Sequence, residues 1–201
     1  MANSNPKPPS PFTFTFRKKL VESFSEFIAD LQNSNMEAFY FSFMFDHISG
    51  TERQRKERMF SDVKRVHDIL SRYIVRKPTS AAWEHLLPVL IAFPDLPVPK
   101  KEKSSIRAYN ANAGLHINGT MLVPPPLPSW FPPGVKQHPS LSKHSRLREP
   151  LDVHFKKREH EYRTEKLYRI DVTPISRGNM IDYVMKNFKN GKVGYDDIRV
   201  F

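Results

Sequence analysis

The chain has 201 residues, 32 lysines and arginines against 21 acidic residues, a net charge of +11 and no cysteine. A disulfide framework and thiolate metal sites are therefore excluded, and no apolar run approaches the roughly 20 residues that span a bilayer. Residues 1–11 are polar and proline-rich, unlike a secretory signal, so a cytoplasmic protein is expected. The basic surplus points to a polyanionic partner, of which nucleic acid is the commonest.

Residues 1–11 read as a disordered or extended tail, followed by a single domain over 12–201. Phe12 to Phe16 alternates Phe and Thr and predicts a short strand. Leu20, Phe24, Phe27, Ile28 and Leu31 recur at helical spacing over Lys18–Leu31. Ala38–Ile48 predicts the first strong strand, with Phe39, Phe41, Phe43 and Phe45 on one face. Four phenylalanines in line predict a buried face in preference to an exposed surface on which bases stack. Thr51–Val75 predicts a long helix whose stripe is Met59, Val63, Val66, Leu70, Tyr73 and Ile74. Its first turns hold Arg53, Arg55, Lys56 and Arg58. Positive charge there opposes the helix macrodipole, which suggests a role outside helix stability.

Leu86–Phe93 predicts the second strand, with Pro94-Asp95-Leu96-Pro97 as its exit. A basic connection over Lys100–Asn112 leads into Ala113–Val123, making an antiparallel pair with a long hairpin loop. In that third strand His116 and Asn118 share one face, while Leu115, Ile117, Met121 and Val123 share the other. An imidazole and a side-chain carbonyl two residues apart make a small ligand set for a divalent cation, and Gly119 leaves room for a backbone or substrate to approach closely. Spacing alone does not decide this, because a strand histidine is more often packed or solvated.

Pro124–Pro150 is a proline-rich insertion, with Trp130 and Phe131 set either on the core or on a partner. Leu151–Glu161 predicts a short helix and Lys166–Thr173 a strand. Asn179–Lys189 predicts the last helix, and Tyr195–Phe201 an edge strand or tail. In that helix Ile181, Val184, Met185 and Phe188 form the buried stripe. Tyr183 lies beside the stripe with Lys186 three residues on. An ammonium next to a phenol favours the phenolate and balances charge on a phosphate; a structural tyrosine with a snorkelling lysine is the plainer alternative. The order of elements predicts an α+β fold, a ferredoxin-like or RRM-like antiparallel sheet with helices packed on one face.

Phe39 to Phe45, then Leu115-His116-Ile117-Asn118-Gly119, then Tyr183-Val184-Met185-Lys186 stand in the order of three family motifs. They resemble those of the HUH-type rolling-circle replication initiators of bacterial mobile elements. The resemblance covers roughly residues 36–190 and implies a metal-assisted endonuclease that nicks single-stranded DNA at a replication origin. It implies Mg²⁺ or Mn²⁺ held by His116, Asn118 and Asp95, with Glu84 the second choice for the acidic ligand. Tyr183 would be the nucleophile forming a 5′-phosphotyrosine, Lys186 would position the phosphate, and Arg53, Arg55, Lys56 and Arg58 would hold the strand. No P-loop pattern is present, so unwinding would fall to a host helicase. Asn118 departs from the histidine usual in the family; its neutral oxygen suits hard cations but predicts weaker affinity. Two other classes fit the same residues. One is a non-catalytic nucleic-acid-binding module. The other is a host-factor-binding protein of a plasmid, phage or integrated element, docking through Trp130 and Phe131.

Overall fold

The computed structural model describes residues 14–95, 111–129, 144–175, 185–191 and 193–201. Its centre is a five-stranded sheet in the order β4-β1-β3-β2-β5. The strands are β1 (Glu37–Phe45), β2 (Val89–Asp95), β3 (His116–Val123), β4 (Leu167–Pro174) and β5 (Arg199–Val200). Every neighbouring pair is antiparallel.

The alternation of β1 decides which way the sheet faces. Phe39, Phe41, Phe43 and Phe45 are each at most 3% exposed. Against them lies α2 (Glu52–Ile74), which contributes Met59, Phe60, Val63, Val66, Leu70 and Ile74. Beside it α3 (Leu151–Tyr162) adds Leu151, Phe155 and Tyr162. The phenylalanine face is therefore core, as expected, and no base can stack on it. These helices on one face of an antiparallel sheet make the α+β arrangement that the pattern predicts. The opposite face carries a smaller cluster, in which α1 (Phe14–Asn33) sets Val21 and Ile28 against Ile91, Phe93 and Leu122.

Several boundaries differ from expectation, each for a local reason. Phe14 to Phe16 begins α1 instead of forming a strand; both edges of the sheet belong to other segments, and without a ladder partner β-propensity decides little. In α1 the buried stripe includes Val21, at 2% exposure, whereas Phe27 is 42% exposed. The basic start of α2 is offset by a capping box in which the Gln54 amide donates to Thr51 Oγ1 and Gln54 Oε1 accepts from the Thr51 amide. β2 runs two residues past its expected end, through Asp95. In β4 the register against β1 shifts between Met44 and Phe45, which pair with Arg169 and Leu167. This bulge lets Leu167 and Ile170, three residues apart, both enter one core. The two ends of the proline-rich insertion are tied together: the Leu127 amide donates to the Leu147 carbonyl, and the Ser145 amide to the Pro125 carbonyl, both at 2.8 Å. Trp130 and Phe131 lie outside the described residues, as does most of the predicted helix over 179–189.

Under α3 lies a polar cluster that makes stability depend on pH. His154 is 3% exposed and its Nε2 is 2.7 Å from the Tyr162 hydroxyl. Burial holds this imidazole below its ordinary pKa, a shift only partly opposed by Glu149 and Glu161 and reinforced by Arg158 and Lys157. The folded chain thus binds fewer protons here than the unfolded one. Its stabilisation is present above the unfolded imidazole value of about 6.5 and is lost as pH falls through the depressed folded value. Urea midpoints are expected to drop between pH 7.5 and pH 5, with a shallower drop in His154→Gln; an identical slope in the variant would contradict the assignment.

Candidate active site

β2 and β3 pair so that Asp95 is the register partner of His116. On the face away from the phenylalanines, this rung is the last of the ladder. Asn118 follows two residues along β3 on the same face, opposite Phe93 of β2 and Ser42 of β1. The extension of β2 through Asp95 therefore does more than lengthen a strand; it places a carboxylate directly across from the imidazole.

Three side chains converge on one oxygen of that carboxylate. Asn118 Nδ2 donates to Asp95 Oδ2 at 2.8 Å. His116 Nε2 stands 3.4 Å from the same oxygen and Lys186 Nζ 3.7 Å from it. Lys186 belongs to the short last helix, α4 (Lys186–Lys189). That helix is held against the sheet by Met185 and Phe188, both buried in the smaller cluster. The Asp95 side chain is 8% exposed, that of His116 18% and that of Lys186 31%, so the group lies at the rim of the core with one side toward solvent.

The chemistry of the donors fits a hard cation. His116 Nδ1 lies 3.0 Å from the Gly114 carbonyl. A carbonyl only accepts, so Nδ1 carries the proton and a neutral ring turns the lone pair of Nε2 toward Asp95. Lone pair and carboxylate repel unless a proton or a cation stands between them. Asn118 is 2% exposed; with its NH₂ committed to Asp95, its Oδ1 is buried with no partner among the described residues. An orphaned acceptor beside an imidazole and a carboxylate is a donor set suited to Mg²⁺ or Mn²⁺. The Thr120 hydroxyl, next on that face, is likewise buried without a partner there. Among the described residues no three His, Asp or Glu side chains come together, so a metal site here depends on the amide.

Other expected site residues are placed differently. Tyr183 lies outside the described residues. Glu84, the second choice for an acidic ligand, sits in a 3₁₀ segment (Ala81–Leu86) before β2 begins, at the opposite end of that strand from Asp95. The cations of α2 lie on the phenylalanine side of the sheet and not on the site face. They do start at the same end of the sheet. Asn112, just before β3, accepts from the Ile48 amide at 2.8 Å and donates to the Asp46 carbonyl at 3.0 Å, tying the exit of β1 to the entry of β3.

Lys56 is not a free surface charge. Its Nζ lies 2.9 Å from Glu52 Oε1 and 3.1 Å from Asp197 Oδ1, with the side chain 14% exposed. Burial opposes its charge, but the two carboxylates outweigh it and raise the ammonium above its ordinary value. Lys56 pins the C-terminal segment to α2, a role that also explains cations near this helix start. Arg55 is half-buried, whereas Arg53 and Arg58 are exposed; Arg58 reaches the Ser49 carbonyl at 3.4 Å.

Gly119 makes room for a backbone, one of the two close approaches expected of it. A Cβ there would lie 2.9 Å from Leu90 Cδ1 and 3.0 Å from the Ile91 carbonyl oxygen. The missing side chain makes room for β2, not for a substrate.

Sequence reasoning overlooked Arg169 and Asp171 of β4. They pair in register with Met44 and Ser42 and so extend the site face by two strands. Arg169 donates to Asp171 Oδ1 at 2.9 Å. The alternation of β4 places both on one face; what was missing was the register that makes it the site face.

No family model, curated protein or solved structure matches the chain.

Proposed function

We propose that the chain is a tyrosine endonuclease acting on single-stranded DNA at an origin of replication, with Mg²⁺ or Mn²⁺ held by His116, Asp95 and Asn118. The observation that supports this reading is the Asp95 carboxylate in register with His116, next to the unpartnered carbonyl of Asn118 and within 3.7 Å of Lys186. A divalent ion bound there would polarise the scissile phosphate.

The remaining roles fall to the chain itself. The Tyr183 oxygen attacks phosphorus, a Tyr–O–P bond forms, and the bond from phosphorus to the 3′ oxygen breaks. The phenolic proton passes to solvent and the departing oxygen becomes a free 3′-hydroxyl. Lys186, three residues after the nucleophile, orients the phosphate and offsets its charge. The Gly114 carbonyl orients His116 through Nδ1, leaving Nε2 and the Asp95 carboxylate for the ion. Arg53 and Arg58 are the exposed cations of the α2 start and contribute salt-dependent contacts to the strand. The DNA class, the host helicase and the mobile-element setting rest on the family resemblance.

Incubating the chain with Mn²⁺ and a varied pool of labelled single-stranded oligonucleotides should give a covalent protein–DNA band on denaturing gels, and Tyr183→Phe should remove it. Retained binding with no covalent band would leave a non-catalytic nucleic-acid-binding module instead.

A further inference from the structure

The helix that carries Lys186 is gripped from the other end of the chain. Arg17, in the first turns of α1, donates from Nη1 to the Phe188 carbonyl at 2.9 Å, across 171 positions of sequence. Its guanidinium lies 5.6 Å from the Phe188 ring centroid. That carbonyl also accepts from the Gly191 amide at 3.0 Å, so Arg17 is a second donor on it, and a cation at a helix C-terminus complements the helix dipole. Gly191, with φ +72°, makes the left-handed turn that ends the helix. A Cβ at Gly191 would lie 2.8 Å from Arg17 Nη1, so a side chain would both strain the turn and displace the guanidinium.

A helix of one turn does not hold itself in place. Its position comes from what grips it. Met185 and Phe188 anchor it to the smaller core, Arg17 holds its C-terminal end, and Lys186 meets Asp95 at its N-terminal end. A cation at that distance attracts the largely buried carboxylate. It also repels any dication approaching the same oxygen.

We propose that Arg17 is a positioning residue of the site, which with Gly191 latches α4 so that Lys186 serves as the resident counter-ion of Asp95 and competes with a divalent metal for it. This rests on the proposed function for the identity of the metal site, but not on cleavage. An ammonium displaced from Asp95 turns to a phosphate oxygen, so metal and substrate binding are coupled through the latch.

Mn²⁺ titration calorimetry on the full chain tests this. Lys186→Met and Arg17→Met are each expected to raise Mn²⁺ affinity by about threefold or more, and the double variant to match Lys186→Met alone, because both act through one contact. Arg17→Lys should restore part of the wild-type value. Unchanged affinity in a folded Arg17→Met, or an equal further gain in the Lys186→Met background, would overturn the proposal. If Arg17→Met does not fold, Gly191→Ala releases the latch from the other side and carries the same expectation. A second measurement needs no metal: the rate at which the Lys186 amine is acetylated, followed by peptide mass spectrometry, should rise in Arg17→Met. If wild type binds no Mn²⁺, the metal reading falls and the labelling rate alone decides the latch. If Mn²⁺ binds as expected and no DNA adduct forms, the nuclease reading falls while the latch stands.

Discussion

Asp95→Asn is expected to lower Mn²⁺ affinity by at least about 100-fold, the upper end of what support around a metal ligand contributes and a lower bound for a ligand itself. The carboxylate is the group on which an imidazole, an amide and an ammonium converge. Asparagine keeps the shape and one acceptor for Asn118, so the local hydrogen bond survives. What disappears is the charge that offsets an incoming dication. Stability should change by only about 1 kcal/mol, the order of one net hydrogen bond, because Lys186 is partly exposed and can be hydrated. Calorimetric Mn²⁺ titration alongside urea unfolding separates the two effects. An affinity within threefold of wild type in a folded variant would remove Asp95 from the ligand set.

Phe41→Ala is expected to cost about 3–5 kcal/mol of folding stability, the range for large-to-small changes in a packed core. Phe41 is fully buried. Its ring stacks on Phe43 with centroids 5.5 Å apart and meets Phe155 of α3 edge-on at 5.1 Å. Alanine would open a void where α3 docks on the sheet, and the sheet cannot close it without moving its neighbours. Urea unfolding monitored by circular dichroism gives the number. A loss below about 1 kcal/mol would mean that the phenylalanine face is not the centre of the core.

The resulting division of labour between the two faces explains much of the site. The phenylalanine face takes the larger share of the packing, and Ser42, His116, Asn118 and Thr120 fall on the other. His116 and Asn118 stand there because their neighbours Leu115 and Ile117 are required in the core. The site needs little extra architecture. It sits where the polar face runs past the cover of α1 and α4.

Whatever depends on period and short-range sterics is legible in the residues alone. The two-residue alternation of β1 and β3, the apolar stripe of α2 and the sharing of one face by His116 and Asn118 are local properties, and each is found. The Phe-Thr alternation that predicts a strand ends inside α1 from Phe14 on, because propensity without a ladder partner decides little. Which segments meet is fixed by the folded chain. The register of β2 on β3 put Asp95 opposite His116 across a 20-residue connection; its place at the strand exit ranked it above Glu84, but no motif marks either carboxylate. Likewise the pairing of Lys56 with Asp197, 141 positions away, and of Arg17 with the Phe188 carbonyl turned cations that looked alike into a clasp and a latch. Charge marks a residue as available, but only chain closure over such distances gives it a partner.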